Sequence, residues 1–489
     1  MDDVQESLRV ALQQVGYASE ILHLTSILED WEKKPVSSAK NTEYEMKISK
    51  ANAFCHTAKN GAALAGVAIS AIRNYRKIQH KEKLGDAAKS IAIPKQAYVI
   101  RQLKRVDEVE LLRQVYGDKF IQISVSLDRE SRVQNLVTKL ARDNPHMRHA
   151  ECEEKARHLI QVDESQESAE RFLKSDEARK SFGQEVGGIF HLGDFFVDAS
   201  DRNKLSEKTL HFIKAFFGEN SKSPDKDEFG AFMAASAALR SVDLSRQVGA
   251  AITTRDGDIV SLGCNEVPKA GGGNYWITDD PLARDYERRA EQNSIEKQRI
   301  IVDFLEKLKI SGFVDVNCEI DSPEMKAKLD EVTDDSLISD ITEYGRMTHA
   351  EMTAICDAAR AGRALFGTTI YVTTFPCHNC AKHIVASGIE RVVFIEPYPK
   401  SKAPSSHKDS IIIDGKGSGA VCFQHFEGIA PKRYREIFSK GKRKNGNQIE
   451  TWYEGEPRPR MPQRDNLHIY REPFAAHEVL KNLKRKPDL

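Results

Sequence analysis

The sequence has 489 residues, and its 73 Lys plus Arg balance 73 Asp plus Glu, so the formal net charge is zero. Hydrophobic residues make up 40% and charged residues 30%, which is typical of globular domains and excludes a chain that is disordered throughout. At about 150 residues per domain, the length predicts two to four domains. The neutral balance disfavours a protein built to coat nucleic acid or anionic lipid.

Neither a membrane span nor a secretory signal is visible in the sequence. The most apolar run, AALAGVAISAI at 62–72, is shorter than the ~18 residues of a span and predicts a buried helix. The N-terminal MDDVQESLRV is acidic where a secretory signal would be basic. We therefore expect a cytoplasmic protein whose eight cysteines stay reduced. There, a close cysteine pair indicates a metal or catalytic site rather than a disulfide.

The first block, residues 1–218, alternates helical and strand patterns. In chain order the patterns predict a helix at Val4–Val15, a strand at Glu20–Leu24, the buried helix at 62–72, a strand at Ala97–Arg101, a helix at Val106–Tyr116, a strand at Phe120–Val125, charged helices over 128–180 and a strand within Gly188–Asp198. Strands that alternate with helices indicate a parallel α/β sheet.

The second block, residues 228–435, follows a polar linker at 218–227. It begins with a predicted helix at Phe229–Ser241 and a hairpin of strands Gly249–Thr253 and Ile259–Gly263 around an Asp- and Gly-rich turn. A charged helical insertion is expected at about 281–330. The remainder, 440–489, is polar and basic, and we expect it to be a loosely structured tail.

The strongest motif is H-A-E at 349–351 followed by P-C-H-N-C at 376–380. The pattern H-x-E…P-C-x-x-C is the signature of zinc-dependent nucleobase deaminases. Cys377 and Cys380 are three residues apart, so one helical turn places both sulfurs on one face. His349 is the predicted third ligand of Zn2+. Three protein ligands leave the fourth position of a tetrahedral zinc open to water, as catalysis requires.

Glu351 is the predicted catalytic residue, because it lies close to the ligand His349 and can carry protons between water and the base. The alternative interpretation is a structural zinc site, which needs a fourth protein ligand. His378 and His383 are near enough in sequence to supply one. The glutamate and the proline of the motif favour the catalytic interpretation.

These residues resemble the cytidine and deoxycytidylate deaminase superfamily, and the similarity extends over about 228–430. SVDLSRQVGAAI at 241–252 is similar to the opening of deoxycytidylate deaminases, and SGIERVVFIEPY at 387–398 to the strand that follows their zinc helix. The segment C-N-E-V-P at 264–268 resembles their N-x-x-P, whose Asn binds the nucleotide sugar. The resemblance therefore implies that Asn265 contacts substrate. It also implies a three-layer α/β/α domain with a mixed sheet.

Three further segments resemble one subgroup, the bacterial anti-phage dCTP/dCMP deaminases. They are NEVPKAGGGNYW at 265–276, EPYPKS at 396–401 and GIAPKRY at 428–434. Members of this subgroup carry a P-loop-kinase-like α/β domain in front, and YVIRQLKRVDEVELLRQVYGDKF at 98–120 is similar to it. This sequence contains no G-x-x-x-x-G-K-[ST]. It begins at what resembles the helix after that loop. We expect either a start that lies too late or a version that does not bind nucleotide in the usual way.

The resemblance implies a hydrolase acting on cyclic amidines, which deaminates dCTP or dCMP to dUTP or dUMP plus ammonia in anti-phage defence. It also implies a homo-oligomer and, in some members, a small regulatory RNA. One alternative is a deaminase of tRNA or single-stranded DNA, which shares the zinc motif but needs a basic, aromatic-lined groove. A second alternative is a non-enzymatic regulator with structural zinc.

Other segments leave two interpretations open. The glycine run 271–273 is either a cradle for a triphosphate or a flexible connector. Tyr398 and Lys400 either contact a base and a phosphate or belong to a solvated loop.

Overall fold

The computed structural model describes residues 2–29, 42–80, 91–164, 186–313, 320, 322–333, 336, 338, 341, 343–398, 400–415, 419–461 and 465–483. The helices are α1 (Asp2–Gln14), α2 (Leu24–Glu29), α3 (Glu43–Ala58), α4 (Ala63–Gln79), α5 (Val106–Tyr116), α6 (Arg129–Asp143), α7 (His149–Glu164), α8 (Val186–Phe190), α9 (Arg202–Phe216), α10 (Lys226–Ala238), α11 (Asp285–Arg288), α12 (Gln292–Ile310), α13 (Pro323–Thr333), α14 (Ala350–Arg360), α15 (His378–Ala386), α16 (Ala403–Ser406), α17 (Pro431–Phe438) and α18 (His468–Leu480).

The strands are mostly short. They are β1 (Ala18–His23), β2 (Gln96–Arg101), β3 (Ile123–Ser126), β4 (Phe195–Asp198), β5 (Gly249–Thr253), β6 (Ile259–Cys264), β7 (Thr369–Thr374), β8 (Arg391–Glu396), β9 (Ile411–Ile413), β10 (Val421–His425), β11 (Gly428–Ile429), β12 (Lys444–Asn445) and β13 (Gln448–Ile449). In the part of the chain that the structure describes, no helix is long and apolar enough to cross a bilayer.

The chain divides into two compact units, one of residues 1–225 with 427–489 and the other of residues 226–426. In the first unit, β1 and β2 pair in parallel, and β3 and β4 form a second parallel pair that β11 extends. Helix α1 buries Val4, Leu8 and Ala11 in a core shared with β4 and α9. The predicted buried helix at 62–72 is confirmed as part of α4, which buries ten of its residues.

The second unit is built on one six-stranded sheet in the order β6-β5-β7-β8-β10-β9. The β5–β6 and β5–β7 pairs are antiparallel, and the remaining three pairs are parallel, so the predicted mixed sheet is confirmed. The predicted hairpin is β5 and β6.

Helices cover both faces of this sheet. Two glycines, Gly249 and Gly263, show how closely the helix backbones approach the strands. A Cβ on Gly249 would lie 1.9 Å from the Ala234 oxygen of α10, and a Cβ on Gly263 would lie 2.1 Å from the Ala350 oxygen of α14. Gly263 lies opposite Ala250 in the β5–β6 register. Since paired residues face the same side and successive residues face opposite sides, Gly249 and Gly263 point to opposite faces. Helices α10 and α14 therefore lie on opposite faces of the sheet.

The C-terminal tail differs from its prediction. Residues 468–480 form α18, which buries Ile469, Ala476, Val479 and Leu480 in the first unit, where a loosely structured tail was expected. Basic and polar residues dominate the composition, but the few apolar ones recur at helical spacing and find partners on α4. The second unit also ends at Phe426, before the predicted boundary at 435, because 428–438 adds β11 and α17 to the first unit.

Candidate metal centre

Three side chains from two helices of the second unit meet at one point. The Nδ1 of His349 lies 3.4 Å from the Sγ of Cys377 and 3.4 Å from the Sγ of Cys380. The three atoms all lie within 4.8 Å of one another. Cys380 is buried, while His349 and Cys377 are partly accessible. The structure therefore brings together the three residues that the motif predicts as zinc ligands.

The side chains of His349, Cys377 and Cys380 all lie at the N-terminal ends of helices. His349 is the N-cap residue of α14, and Cys377 is the N-cap residue of α15, both with extended backbone. Cys380 follows within the first turn of α15. Because the first N–H groups of a helix carry partial positive charge, this position stabilises a thiolate.

The hydrogen bonds within the cluster shift its protonation in opposite directions. A hydrogen bond from Cys380 lowers the pKa of Cys377 to about 4, with a further contribution from His349. The same bond, with burial, raises the pKa of Cys380 well above its usual value. The hydrogen bond with Cys377 raises the pKa of His349 to about 9. The site thus favours a thiolate at Cys377, which is the form of cysteine that binds metal.

The donor set fits Zn2+. One imidazole nitrogen and two sulfurs are ligands that zinc prefers, and tetrahedral bonds of about 2.0–2.3 Å separate nitrogen and sulfur ligands by about 3.6 Å. The observed separations of 3.4 Å are close to that value. Among the described residues, the cluster holds these three ligands and no fourth.

The two histidines considered as a fourth ligand point elsewhere. The Nε2 of His378 lies 3.5 Å from Glu343 on the surface. His383 is exposed on α15. Neither joins the cluster, so within the described part of the chain neither histidine supplies the fourth ligand that a structural zinc site needs.

Glu351 lies in the first turn of α14 and is only 4% exposed. Its carboxyl group contacts the thiol of Cys380, and burial raises its pKa above the usual value. A carboxyl that is buried beside a metal site and has a raised pKa is suited to accept and donate protons, as general acid–base catalysis requires.

Asn265 follows directly after β6 and is buried. Its Oδ1 accepts from the N–H of Val248 at 2.7 Å, and its Nδ2 donates to the carbonyl of Arg246 at 2.7 Å. Both ends of the side chain therefore bond to the backbone at 246–248, just before β5. The assigned contact of Asn265 with the substrate sugar stays a prediction.

The glycine run forms a tight turn. Gly271, Gly272 and Gly273 have φ of 89°, 97° and 74°, in the left-handed region that favours glycine. The N–H of Lys269 donates to Gly273, and the N–H of Gly272 donates to Lys269. Such a turn agrees better with an ordered connection than with a flexible connector.

The sequence analysis did not identify residues near the metal centre that hydrogen-bond to partners far away in the sequence. Glu266 pairs with Thr348 through two backbone hydrogen bonds of 3.1 and 3.2 Å. Asn293 of α12 bonds to the segment that leads into His349. Glu266 lies inside the segment C-N-E-V-P at 264–268, but nothing in that segment indicates its pairing with Thr348. Asn293 belongs to no motif, and no sequence spacing connects residues that lie this far apart.

The fold and the site define a mixed α/β unit with a His-Cys-Cys zinc centre. Residues 224–396 match the family model described as the cytidine and deoxycytidylate deaminase zinc-binding region. This stretch, about a third of the chain, is thus similar to that zinc-binding region, and His349, Cys377 and Cys380 all lie within it.

Individual relatives match over shorter stretches. The deoxycytidylate deaminase of Enterobacteria phage T4 is 52% identical over 54 residues, 11% of this chain and 28% of that protein. The deoxycytidylate deaminase of Mus musculus is 30% identical over 158 residues, 32% of this chain and 57% of that protein. The chain thus spans less than two thirds of the length of either relative. A dCMP deaminase from cyanophage S-TIM5, solved with dCMP and dUMP, is 15% identical with a TM-score of 0.23, over 41% of this chain and 98% of that one.

Proposed function

We propose that this protein is a zinc-dependent hydrolase that deaminates free cytosine deoxynucleotides, converting dCMP or dCTP to dUMP or dUTP and ammonia. The observation that carries the proposal is the meeting of His349, Cys377 and Cys380 beside the buried carboxyl of Glu351. Three ligands and a nearby proton carrier are the parts that hydrolytic deamination of a base requires.

His349, Cys377 and Cys380 would hold the zinc, which lowers the pKa of water and so supplies a nucleophile near neutral pH. Glu351 would take a proton from the attacking water and place it on N3 of the cytosine ring. The water oxygen bonds to C4, and Glu351 would carry the second proton of that water from this oxygen to the amino group. The C4–N bond then breaks, ammonia leaves, and the C4–O bond becomes the carbonyl of uracil. The raised pKa of Glu351 supports this exchange of protons.

Cytosine deoxynucleotides are the proposed substrates because the relatives of this region are named as deoxycytidylate deaminases. Asn265, in the segment that resembles N-x-x-P, is the proposed contact to the sugar.

The wider proposal includes depletion of dCTP in anti-phage defence, a cytoplasmic location, a homo-oligomer and control by a small RNA. These rest on the resemblance of 265–276, 396–401 and 428–434 to anti-phage deaminases. We also propose a kinase-like ancestry for the first unit. Its parallel pairs β1–β2 and β3–β4 and its intervening helices support this, and no nucleotide site is assigned to it.

The test is chromatography of dCMP, dCTP, CMP and CTP after incubation with the zinc-loaded chain, with Glu351→Ala as the matched control. We expect loss of the deoxycytidine nucleotides with the wild-type chain alone. If all four nucleotides survive while tRNA or single-stranded DNA is deaminated, the substrate class is wrong. If nothing is deaminated, the proposal fails.

A further inference from the structure

The segment that leads into His349 is held by the helical insertion. We call residues 341 and 343–348 the approach segment, since they connect the insertion to the first zinc ligand. From its contacts we infer that the insertion positions the zinc ligands, and that Asn293 is the positioning residue. This inference rests on the proposed zinc site and adds to it a role for the insertion.

Asn293 clamps the approach segment at two points. Its Nδ2 donates to the carbonyl of Ile341 at 2.8 Å, and its Oδ1 accepts from the N–H of Tyr344 at 3.3 Å. Asn293 is the single residue of α12 that is buried, in a helix of 19 residues. A carboxamide offers a donor and an acceptor side by side, so it can bond to both ends of a bend where a carboxylate or an apolar group cannot.

A second anchor holds the same segment. Arg346 bonds to Asp285 at 2.7 Å and to the carbonyl of Ala283 at 3.2 Å. The side chain of Asp285 is 11% exposed, so the pair is largely shielded from water. Asp285 belongs to α11, and the approach segment is therefore tied to two helices of the insertion.

The approach segment in turn contacts the other half of the metal centre. The Oε1 of Glu343 lies 3.5 Å from the Nε2 of His378 and accepts from Asn379 at 3.4 Å. These are the two residues between Cys377 and Cys380. At its other end, Thr348 pairs with Glu266, the residue after Asn265.

The approach segment therefore connects Asn293 to all three proposed ligands. The segment precedes His349 in the chain, and its Glu343 contacts the turn that carries both sulfurs. Groups that orient metal ligands typically change metal affinity 10–100-fold when they are removed. Loss of the Asn293 bonds leaves a backbone carbonyl and an N–H without their partner, which favours rearrangement of the bend.

The experiment measures the rate at which zinc passes from the full-length chain to a chromogenic chelator. For Asn293→Leu we expect release about tenfold faster than from the wild-type chain, from the range for ligand-orienting groups. Asn293→Asp keeps the acceptor for Tyr344 and loses the donor for Ile341, so we expect an intermediate rate. Arg299→Ala is the control, because Arg299 lies on the same helix with its side chain 79% exposed, and we expect the wild-type rate.

Arg346→Gln provides an independent variant if Asn293→Leu fails to fold, as circular dichroism would reveal, and we expect faster release from it as well. Folded Asn293 and Arg346 variants that release zinc at the wild-type rate would overturn this inference and leave the proposed function standing. A wild-type chain that binds no zinc would overturn the proposed function, and this inference with it.

Discussion

The side-chain oxygen of Asn265 accepts a hydrogen bond from the backbone N–H of Val248 at 2.7 Å, across 17 positions of sequence. The same side chain donates to the carbonyl of Arg246. Asn265 thus joins the end of β6 to the residues that enter β5. A residue proposed to bind the substrate sugar therefore also holds the backbone beside the metal centre.

We predict that Asn265→Ala loosens this backbone. The partly buried N–H of Val248 loses its acceptor, which costs about 0.5–1.5 kcal/mol. Hydrogen exchange of a peptide that covers 242–250 should become faster, as measured by mass spectrometry. Asn445→Ala, at an exposed position, is the control. If this peptide exchanges at the wild-type rate in Asn265→Ala, then Asn265 does not hold the backbone at 246–248. This conclusion would not depend on how the variant changes the KM for nucleotide.

We predict that Glu351→Gln retains zinc and loses deamination. The amide cannot carry protons, and general acid–base catalysis typically contributes about 10²–10⁴-fold to a rate. Release of ammonia and the zinc content should be measured on the same preparation. Glu390→Gln changes an exposed glutamate that pairs with Arg255, and it should match the wild type in both. Loss of zinc from Glu351→Gln would instead assign this carboxyl to metal binding.

Cys380→Ser should lose zinc and activity together, because it removes a buried sulfur from the proposed ligand set. Cys356→Ser is a matched control, since Cys356 is exposed on α14, the helix that begins after His349. The zinc content of both purified variants should be measured by metal analysis. Equal zinc contents in the two variants would be incompatible with the assigned ligand set.

The C-terminal helix should depend on one buried ion pair. The guanidinium of Arg76 makes two contacts with the carboxylate of Glu472, one of them 3.0 Å, and the two side chains are 3% and 0% exposed. Glu472→Leu leaves Arg76 as a buried charge without its partner carboxylate, which costs about 3–5 kcal/mol. We expect a lower thermal midpoint and faster hydrogen exchange in α18. In Glu478→Leu, which breaks an exposed pair with Lys481, the midpoint should change little.

His468 should make the first unit less stable in acid. Burial, with the nearby Lys119, lowers the pKa of His468 from 6.5 to about 4. Between pH 6.5 and 4, His468 binds a proton in the unfolded chain but not in the folded one. The contribution of neutral His468 to the free energy of unfolding is therefore complete above about pH 6.5 and falls as the pH drops towards 4. When the pH is lowered from 7.5 to 5, the thermal midpoint of unfolding should fall less in His468→Asn than in the wild type. His477→Asn, exposed on the same helix, should behave as the wild type.

Local patterns predicted the elements near the metal centre well. The predicted strands Gly249–Thr253 and Ile259–Gly263 agree with β5 and β6 to within one residue. Each of these depends on residues close in sequence: a cap, an alternation or a turn. The prediction of a loosely structured tail at 440–489 differs from the structure at 468–480 for the opposite reason. Helix α18 is held by Arg76, which is 396 positions away.

The chemistry proposed for the site follows from local sequence. The motif names His349, Glu351, Cys377 and Cys380, because zinc binding and proton transfer depend on residue type and on spacing within one helical turn. The groups that hold those residues in place become visible with the fold. The bonds of Asn265 to 246–248, of Asn293 to 341–344 and of Arg346 to Asp285 join partners 17 to 61 positions apart. Such bonds form only when packing brings distant segments together, and an isolated Asn or Arg in a sequence carries no sign of its partner.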